Sequence, residues 1–169
     1  QILVSSSPEA LKAEKGDLWD TGMTESAESL HIEYDGVSLQ SRMNCYWMVR
    51  VWDGNENRSD WSSVSFWRMG LLDRSDWSAD WIDAPTEMLK PVDDDPVVIA
   101  SPYLRTDFIV SGKIKRAVIY ATAKGLYELS VNGKRVGQDL FAPGWTDYFK
   151  RIRYQTYNVT ELIDNGANT

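Results

Sequence analysis

Apolar and polar residues alternate with a period of two along several short segments, which is the pattern of half-buried β-strands. The clearest segment runs from Cys45 to Trp52. One face of it carries Trp47, Val49 and Val51, which suit a hydrophobic core. Its other face carries four side chains, and there we predict that the Arg50 guanidinium lies against a neighbouring tryptophan ring. These four are Tyr46, Met48, Arg50 and Trp52.

A second alternating segment, residues 126–131, ends at an Asn132-Gly133 pair, the strongest short signal for a tight β-hairpin. In this segment Tyr127, Leu129 and Val131 share one face. Three further pairs also supply residues that tolerate the positive φ of tight turns. They are Asp35-Gly36, Asp53-Gly54 and Asn165-Gly166.

Helical periodicity is almost absent. One short turn is predicted over residues 7–13, with Ser7 as the N-cap and Pro8 at the first helical position. A second turn is predicted over residues 159–163. Residues 30–34 alternate as a strand would, and we expect His31 on its outward side.

A domain boundary is predicted between residues 69 and 76, where a last strand over residues 61–67 gives way to a connector. We therefore divide the chain into residues 1–72 and residues 73–169. Residues 85–102 hold four prolines and the acidic triplet 93–95, and they predict a long surface loop. Calcium binding by the triplet is possible in principle, but a solvated acidic loop is the preferred interpretation.

Composition narrows the function classes. The 8 Trp and 8 Tyr of this chain favour pleated sheets. The net charge of −7 and the lack of a Lys/Arg cluster argue against a nucleic-acid partner. Cys45 and His31 are the only residues of their types, so an intrachain disulfide and a Cys/His zinc site are excluded. We expect no cofactor and no membrane-spanning segment.

Residues 46–54 and 59–62 together resemble the closing strands of a fibronectin type III-like sandwich. The shared pattern is an aromatic-rich strand, a polar hairpin and a Ser-Asp-Trp-Ser entry into the last strand. Residues 124–137 resemble the sugar-binding-type jelly rolls that are appended to glycosidases. With residues 142–148 and 154–160 they follow the order of the N-terminal domain of bacterial α-L-rhamnosidases, and residues 1–8, 18–22, 69–72 and 77–82 match the region before it.

The resemblance implies an all-β chain in which a fibronectin type III/immunoglobulin-like β-sandwich precedes a galactose-binding-like jelly roll. It implies a parent enzyme that removes terminal α-L-rhamnose from glycosides or polysaccharides with inversion. Catalysis in that family belongs to an (α/α)-barrel, which is the expected partner of this chain. We expect the chain to lack strands at both ends and to be inactive alone. The parent is expected in bacteria, in a periplasmic, other extracytoplasmic or cytoplasmic location.

Two alternatives stay open. The chain would be a free-standing glycan-binding or adhesion module if no enzyme domain accompanied it, or a purely structural spacer if it made no contact with sugar. Edge strands left without neighbours predict pairing between copies.

The candidate sugar-contacting residues are Trp145, Asp147, Tyr148 and Arg151, which offer two rings and several polar groups within seven positions. The competing interpretation is that Trp145 and Tyr148 fill the end of the sandwich, since large aromatic side chains are usually buried. Glu128, Asp139 and Asp147 are weak candidates for a catalytic pair, because nothing in their spacing places two carboxylates across a cleft.

Overall fold

A computed structural model describes residues 1–85, 89, 91–92, 95–99 and 101–169. These residues form two compact units, Gln1–Asp80 and Trp81–Thr169. Strands dominate both units, which confirms the predicted all-β class. The division between residues 72 and 73 stays a prediction.

The first unit is built on a four-stranded antiparallel sheet of order β2-β1-β3-β4. In this sheet Val4 lies opposite both Trp19 and Trp47, so β1 has neighbours on both edges. The strands are β1 (Ile2–Ser5), β2 (Trp19–Asp20), β3 (Asn44–Val49) and β4 (Ser65–Arg68).

Helix α1 (Pro8–Lys12) forms where the sequence predicts it. The Ser7 hydroxyl accepts a hydrogen bond from the Ala10 amide at 3.2 Å. Pro8 lies in the first turn, where backbone N–H groups have no helical acceptor, so its missing N–H costs no helical hydrogen bond. The helix directs Leu11 inward, where its side chain is fully buried against Leu3 and Met48.

Strand β3 is covered on both faces, so the one-sided burial predicted for it is wrong. Cys45 is fully buried on one face, beside Val4 and Leu18. Met48 is buried on the other face, because α1 covers it. Val51, predicted to be core, lies beyond the end of β3 and is 62% exposed.

Arg50 occupies the position predicted for it. Its guanidinium carbon lies 4.3 Å from the centroid of the Trp61 ring and 5.2 Å from that of Trp52. Its Nε and one terminal nitrogen both donate to the Gln1 side-chain oxygen, at 2.9 and 2.7 Å. The cation is therefore held by two rings and an amide.

Two serines bond to the chain around the end of β3. Ser62 exchanges bonds with Val49, donating its amide to the carbonyl at 2.9 Å and accepting the Val49 amide on its hydroxyl at 3.1 Å. Ser59 does the same with Val51, at 2.9 and 3.1 Å. These backbone groups are thereby satisfied without a regular strand partner.

Residues 30–34 form no strand, so that prediction is wrong. His31 adopts a left-handed φ of 58°, and Leu30 and Ile32 are both exposed. Only Tyr34 turns inward, against Trp19 and Trp67. The alternation does not lead to pairing, because the four strands of the sheet come from other parts of the unit.

The paired turn signals have different outcomes. Asn132 and Gly133 both have positive φ, at 51° and 73°, and they join β9 to β10 as predicted. Gly166 also has positive φ, at 117°. The residues of Asp35-Gly36 and Asp53-Gly54 do not adopt this conformation; beside the latter pair it is taken by Glu56, at 64°.

The second unit consists of antiparallel strand pairs. β7 pairs with β12, β8 with β11 and β9 with β10. Within residues 85–102, predicted to be a loop, β5 pairs with β6. The strands are β5 (Pro91–Val92), β6 (Asp95–Ile99), β7 (Phe108–Val110), β8 (Val118–Ala121), β9 (Ser130–Val131), β10 (Lys134–Arg135), β11 (Gln155–Asn158) and β12 (Gly166–Asn168).

The core of this unit lies between the β9–β10 hairpin and β11. Val131, Val136, Tyr157 and Val159 are buried there. Tyr127 and Leu129 pack against them, which confirms the face predicted for residues 127, 129 and 131. A 3₁₀ turn over Thr160–Leu162 falls inside the predicted 159–163 turn.

Asn132 does more than form the hairpin turn. Its side-chain nitrogen donates to the Leu162 carbonyl and to the Asn168 side-chain oxygen, both at 2.8 Å. Its side-chain oxygen accepts the Thr169 backbone amide at 2.9 Å. Asn168 is itself buried and bonds to Asp164 and Gly166. The turn therefore anchors the 162–169 segment.

Replacing Asn132 by glycine is expected to lower the free energy of unfolding of the second unit by about 2–4 kcal/mol, since it keeps the positive φ but removes the side-chain hydrogen bonds to Leu162, Asn168 and Thr169. Gln138→Gly, at an exposed position, controls for the flexibility that glycine adds. Urea denaturation followed by far-ultraviolet circular dichroism measures both. Equal stability of the two variants would show that the Asn132 side chain contributes nothing.

Candidate functional site

The candidate residues lie in the segment between β10 and β11, residues 136–154, which is anchored at its centre. Ala142 and Pro143 are buried, and a cis peptide bond joins them. The Tyr127 amide donates to the Ala142 carbonyl at 3.0 Å. The Gly144 amide donates to the Phe141 carbonyl at 2.9 Å, which closes a turn around the buried pair.

A second turn, around Asp147, follows directly. The Asp147 carbonyl accepts the amides of Lys150 and Arg151, both at 2.9 Å, and its carboxylate accepts the Phe149 amide at 3.1 Å. The Thr146 hydroxyl donates to the Arg151 carbonyl at 2.5 Å. Asp147 and Thr146 thus use local bonds to shape the loop, as short polar side chains do in turns.

The structure brings the four predicted residues into this one loop but exposes them unequally. Trp145 is 86% exposed, so it does not fill the end of a sandwich. Asp147 and Arg151 are exposed, and Tyr148 is half-buried. Asp147 forms an ion pair with Lys150 at 3.7 Å, an exposed contact of little energetic value.

Three further apolar side chains of the loop, which the sequence reasoning missed, are exposed to solvent. Leu140 is 70% exposed, Phe141 is 74% exposed and Phe149 is fully exposed. Large apolar residues are expected inside, so their types gave no signal of exposure. The available signal was the Ala142-Pro143-Gly144 run, which favours a loop around them.

Two tyrosine hydroxyls meet near the loop anchor. The Tyr127 and Tyr157 oxygens are 3.1 Å apart, and burial together with this contact raises the pKa of Tyr127 far above its usual value. Its hydroxyl acts as a fixed hydrogen-bonding group of the core.

Two of the three weak carboxylate candidates bond to the same arginine. Glu128 forms an ion pair with Arg135 at 3.2 Å on the hairpin, and Arg135 also donates to the Asp139 carbonyl. Among the described residues, no three His, Cys, Asp or Glu side chains are placed to hold a metal ion. Of the acidic triplet, positions 93 and 94 lie outside these residues. No helix in the described ranges is long and apolar enough to cross a bilayer.

The loop offers flat aromatic surfaces beside hydroxyl, carboxylate and guanidinium groups. Aromatic rings give large contact area, and a few placed polar groups fix the orientation of a ligand. This combination suits a neutral polyhydroxylated ligand better than a nucleic acid, because the chain is acidic overall.

Comparison with known proteins assigns each unit. Residues 1–73 match the Rha78A-like N-terminal immunoglobulin domain, and residues 112–169 match the α-L-rhamnosidase N-terminal domain. The whole chain is 41% identical to part of an α-L-rhamnosidase of Formosa agariphila, covering 18% of that enzyme.

Solved structures agree. The α-L-rhamnosidase of Dictyoglumus thermophilum superposes with a TM-score of 0.90 at 38% identity, over 99% of this chain and 20% of that one. The Streptomyces avermitilis α-L-rhamnosidase complexed with L-rhamnose gives a TM-score of 0.50 at 28% identity, over 99% and 17%. The chain thus spans about a fifth of the length of the relatives it matches. The chain is therefore similar over its whole length to the N-terminal part of α-L-rhamnosidases, with one range that matches their N-terminal immunoglobulin domain and one that matches the rhamnosidase N-terminal domain.

Proposed function

We propose that this chain is the non-catalytic N-terminal part of an inverting α-L-rhamnosidase, which removes terminal α-L-rhamnose from glycosides or polysaccharides. The observation that carries the proposal is 41% identity to an α-L-rhamnosidase over the whole chain. Hydrolysis itself belongs to an (α/α)-barrel partner domain. Inversion there needs a general acid and a general base on opposite sides of the sugar, with space for a water molecule.

Within such an enzyme, residues 1–72 and 73–169 act as two β-domains that support the barrel. The loop of residues 140–151 faces sugar through Trp145, Asp147, Tyr148 and Arg151. Two observations support this role: Trp145 is 86% exposed, and the loop that carries it is held by its own backbone bonds. Pairing of this chain with its own copies through edge strands stays a prediction.

A domain exchange tests the supporting role. The matching region of the Formosa agariphila enzyme is replaced by this chain, and hydrolysis of a chromogenic α-L-rhamnoside is measured. We expect the hybrid to keep kcat/KM within about tenfold of the parent, a difference of about 1.4 kcal/mol, since the chain is 41% identical to the region that it replaces.

Two controls accompany the exchange. The Formosa agariphila enzyme without the matching region is expected to lose soluble, active protein, and this chain alone is expected to hydrolyse nothing. Hydrolysis by the chain alone would refute its non-catalytic assignment. Full activity and unchanged thermal stability of the shortened enzyme would refute the supporting role and favour a free glycan-binding module.

A further inference from the structure

We infer that the 140–151 loop binds a chain of several sugar residues through three separate rings, Phe141, Trp145 and Phe149, and not a single monosaccharide. The inference rests on the proposed function, in which this loop faces sugar. Its starting point is exposure: the three side chains are 74%, 86% and 103% exposed. Among the described residues, no ring contact joins any two of them.

The backbone that carries Phe141 and Phe149 is held in place by contacts within the loop. Phe141 precedes the buried Ala142-Pro143 pair and holds a left-handed φ of 57°, a conformation that costs an L residue about 1–2 kcal/mol. Strain of this kind persists only where the surrounding structure enforces it, and it is concentrated at functional sites. Phe149 follows Asp147, whose carboxylate holds its amide at 3.1 Å.

Three large rings exposed within nine positions of one loop offer a candidate contact surface for a partner. Separate rings that do not stack on each other each offer a flat face to a different part of a ligand. One pyranose ring has only two faces, and it stacks on a single aromatic ring through one of them. Three platforms therefore match a ligand of two or more linked sugar residues.

The charged side chains beside the rings favour sugar over other partners. Asp147 lies between Trp145 and Phe149, Lys150 and Arg151 follow Phe149, and all three charged side chains are exposed. The centre of a protein–protein interface is depleted in such charges, whereas sugar hydroxyls accept and donate hydrogen bonds to them. An anionic bilayer is disfavoured because the chain carries a net charge of −7.

The test is a nuclear magnetic resonance titration of the whole chain with L-rhamnose and with a trisaccharide of α-linked L-rhamnose. The indole N–H signal of Trp145, assigned from its absence in Trp145→Phe, reports binding despite the other seven tryptophans. We expect the trisaccharide to bind at least about tenfold more tightly than rhamnose. Phe141→Ala and Phe149→Ala should each weaken trisaccharide binding by roughly three- to tenfold and leave rhamnose binding unchanged.

Tyr103→Ala is the matched control, because Tyr103 is fully exposed in the same unit but lies outside the loop. Equal affinity for rhamnose and trisaccharide, lost in Trp145→Ala, would overturn the several-residue site and keep a sugar-facing loop. Trisaccharide binding that is insensitive to Phe141 and Phe149 would overturn it as well. No binding of either sugar would refute the inference and the sugar-facing role together, while leaving the domain-exchange result as the measure of the supporting role.

Discussion

Replacing Leu11 by alanine is expected to lower the free energy of unfolding of the first unit by about 2–5 kcal/mol. Leu11 is fully buried and is the residue through which α1 packs against Leu3 and Met48. The substitution leaves a cavity that the sheet cannot fill, because Leu3 and Met48 are fixed opposite each other by the β1–β3 register. The loss of stability therefore has two sources, the lost burial of the leucine side chain and the cavity that it leaves.

The matched control is Leu30→Ala, at a leucine of the same unit that is 73% exposed. Its effect should stay within about 0.5 kcal/mol, as for most surface substitutions. Denaturation followed by tryptophan fluorescence suits the comparison, since six of the eight tryptophans precede residue 80. Similar losses in both variants would mean that α1 is not packed as described.

Local signals predicted structure well where one interaction decides the outcome. Ser7 and Pro8 fix the start of α1 because a capping hydroxyl and a proline in the first turn act over three residues. Asn132-Gly133 fixes a hairpin because both residues tolerate positive φ. Arg50 finds its tryptophan rings because adjacent chain segments carry them on the same side.

Predictions failed where distant elements decide. Alternation in residues 30–34 does not make a strand because this segment pairs with no strand of the sheet, and sequence alone does not reveal which segments pair. Met48 became buried because α1 returns over β3, a contact between residues almost forty positions apart. The two-sided burial of β3 follows from tertiary packing, which overrides a local pattern.

The candidate loop also has features that local signals predict and features that they do not. Its position between β10 and β11 and its turn residues could be predicted from Pro143, Gly144 and Asp147. The exposure of Phe141, Trp145 and Phe149 could not, because the sequence offers no pattern that separates a displayed ring from a buried one. Exposure depends on how the buried Ala142-Pro143 pair orients the backbone on either side of it.

The second large effect is expected at Gly36, for which Gly54 is the matched control. Both glycines follow an aspartate, but their surroundings are opposite. A Cβ on Gly36 would lie well inside 3.0 Å of the Leu18 carbonyl oxygen, the Tyr34 hydroxyl and the Trp19 Cβ. The Leu18 carbonyl there accepts hydrogen bonds from the Tyr34 hydroxyl at 3.0 Å and from the Val37 amide at 2.9 Å. A Cβ on Gly54 would meet no heavy atom within 4 Å.

Gly36→Ala is therefore expected to lower the free energy of unfolding of the first unit by about 2–5 kcal/mol, through overpacking and the loss of one or both of these hydrogen bonds. Gly54→Ala should be neutral or stabilise the unit by up to about 1 kcal/mol, because alanine restricts the unfolded chain and neither glycine has positive φ. The two variants differ by the same single methyl group, so paired thermal and urea denaturation isolates its environment. Equal stability of the two variants would contradict the close contact of Gly36 with the Leu18–Trp19 segment. The glycine would then be explained by turn formation alone.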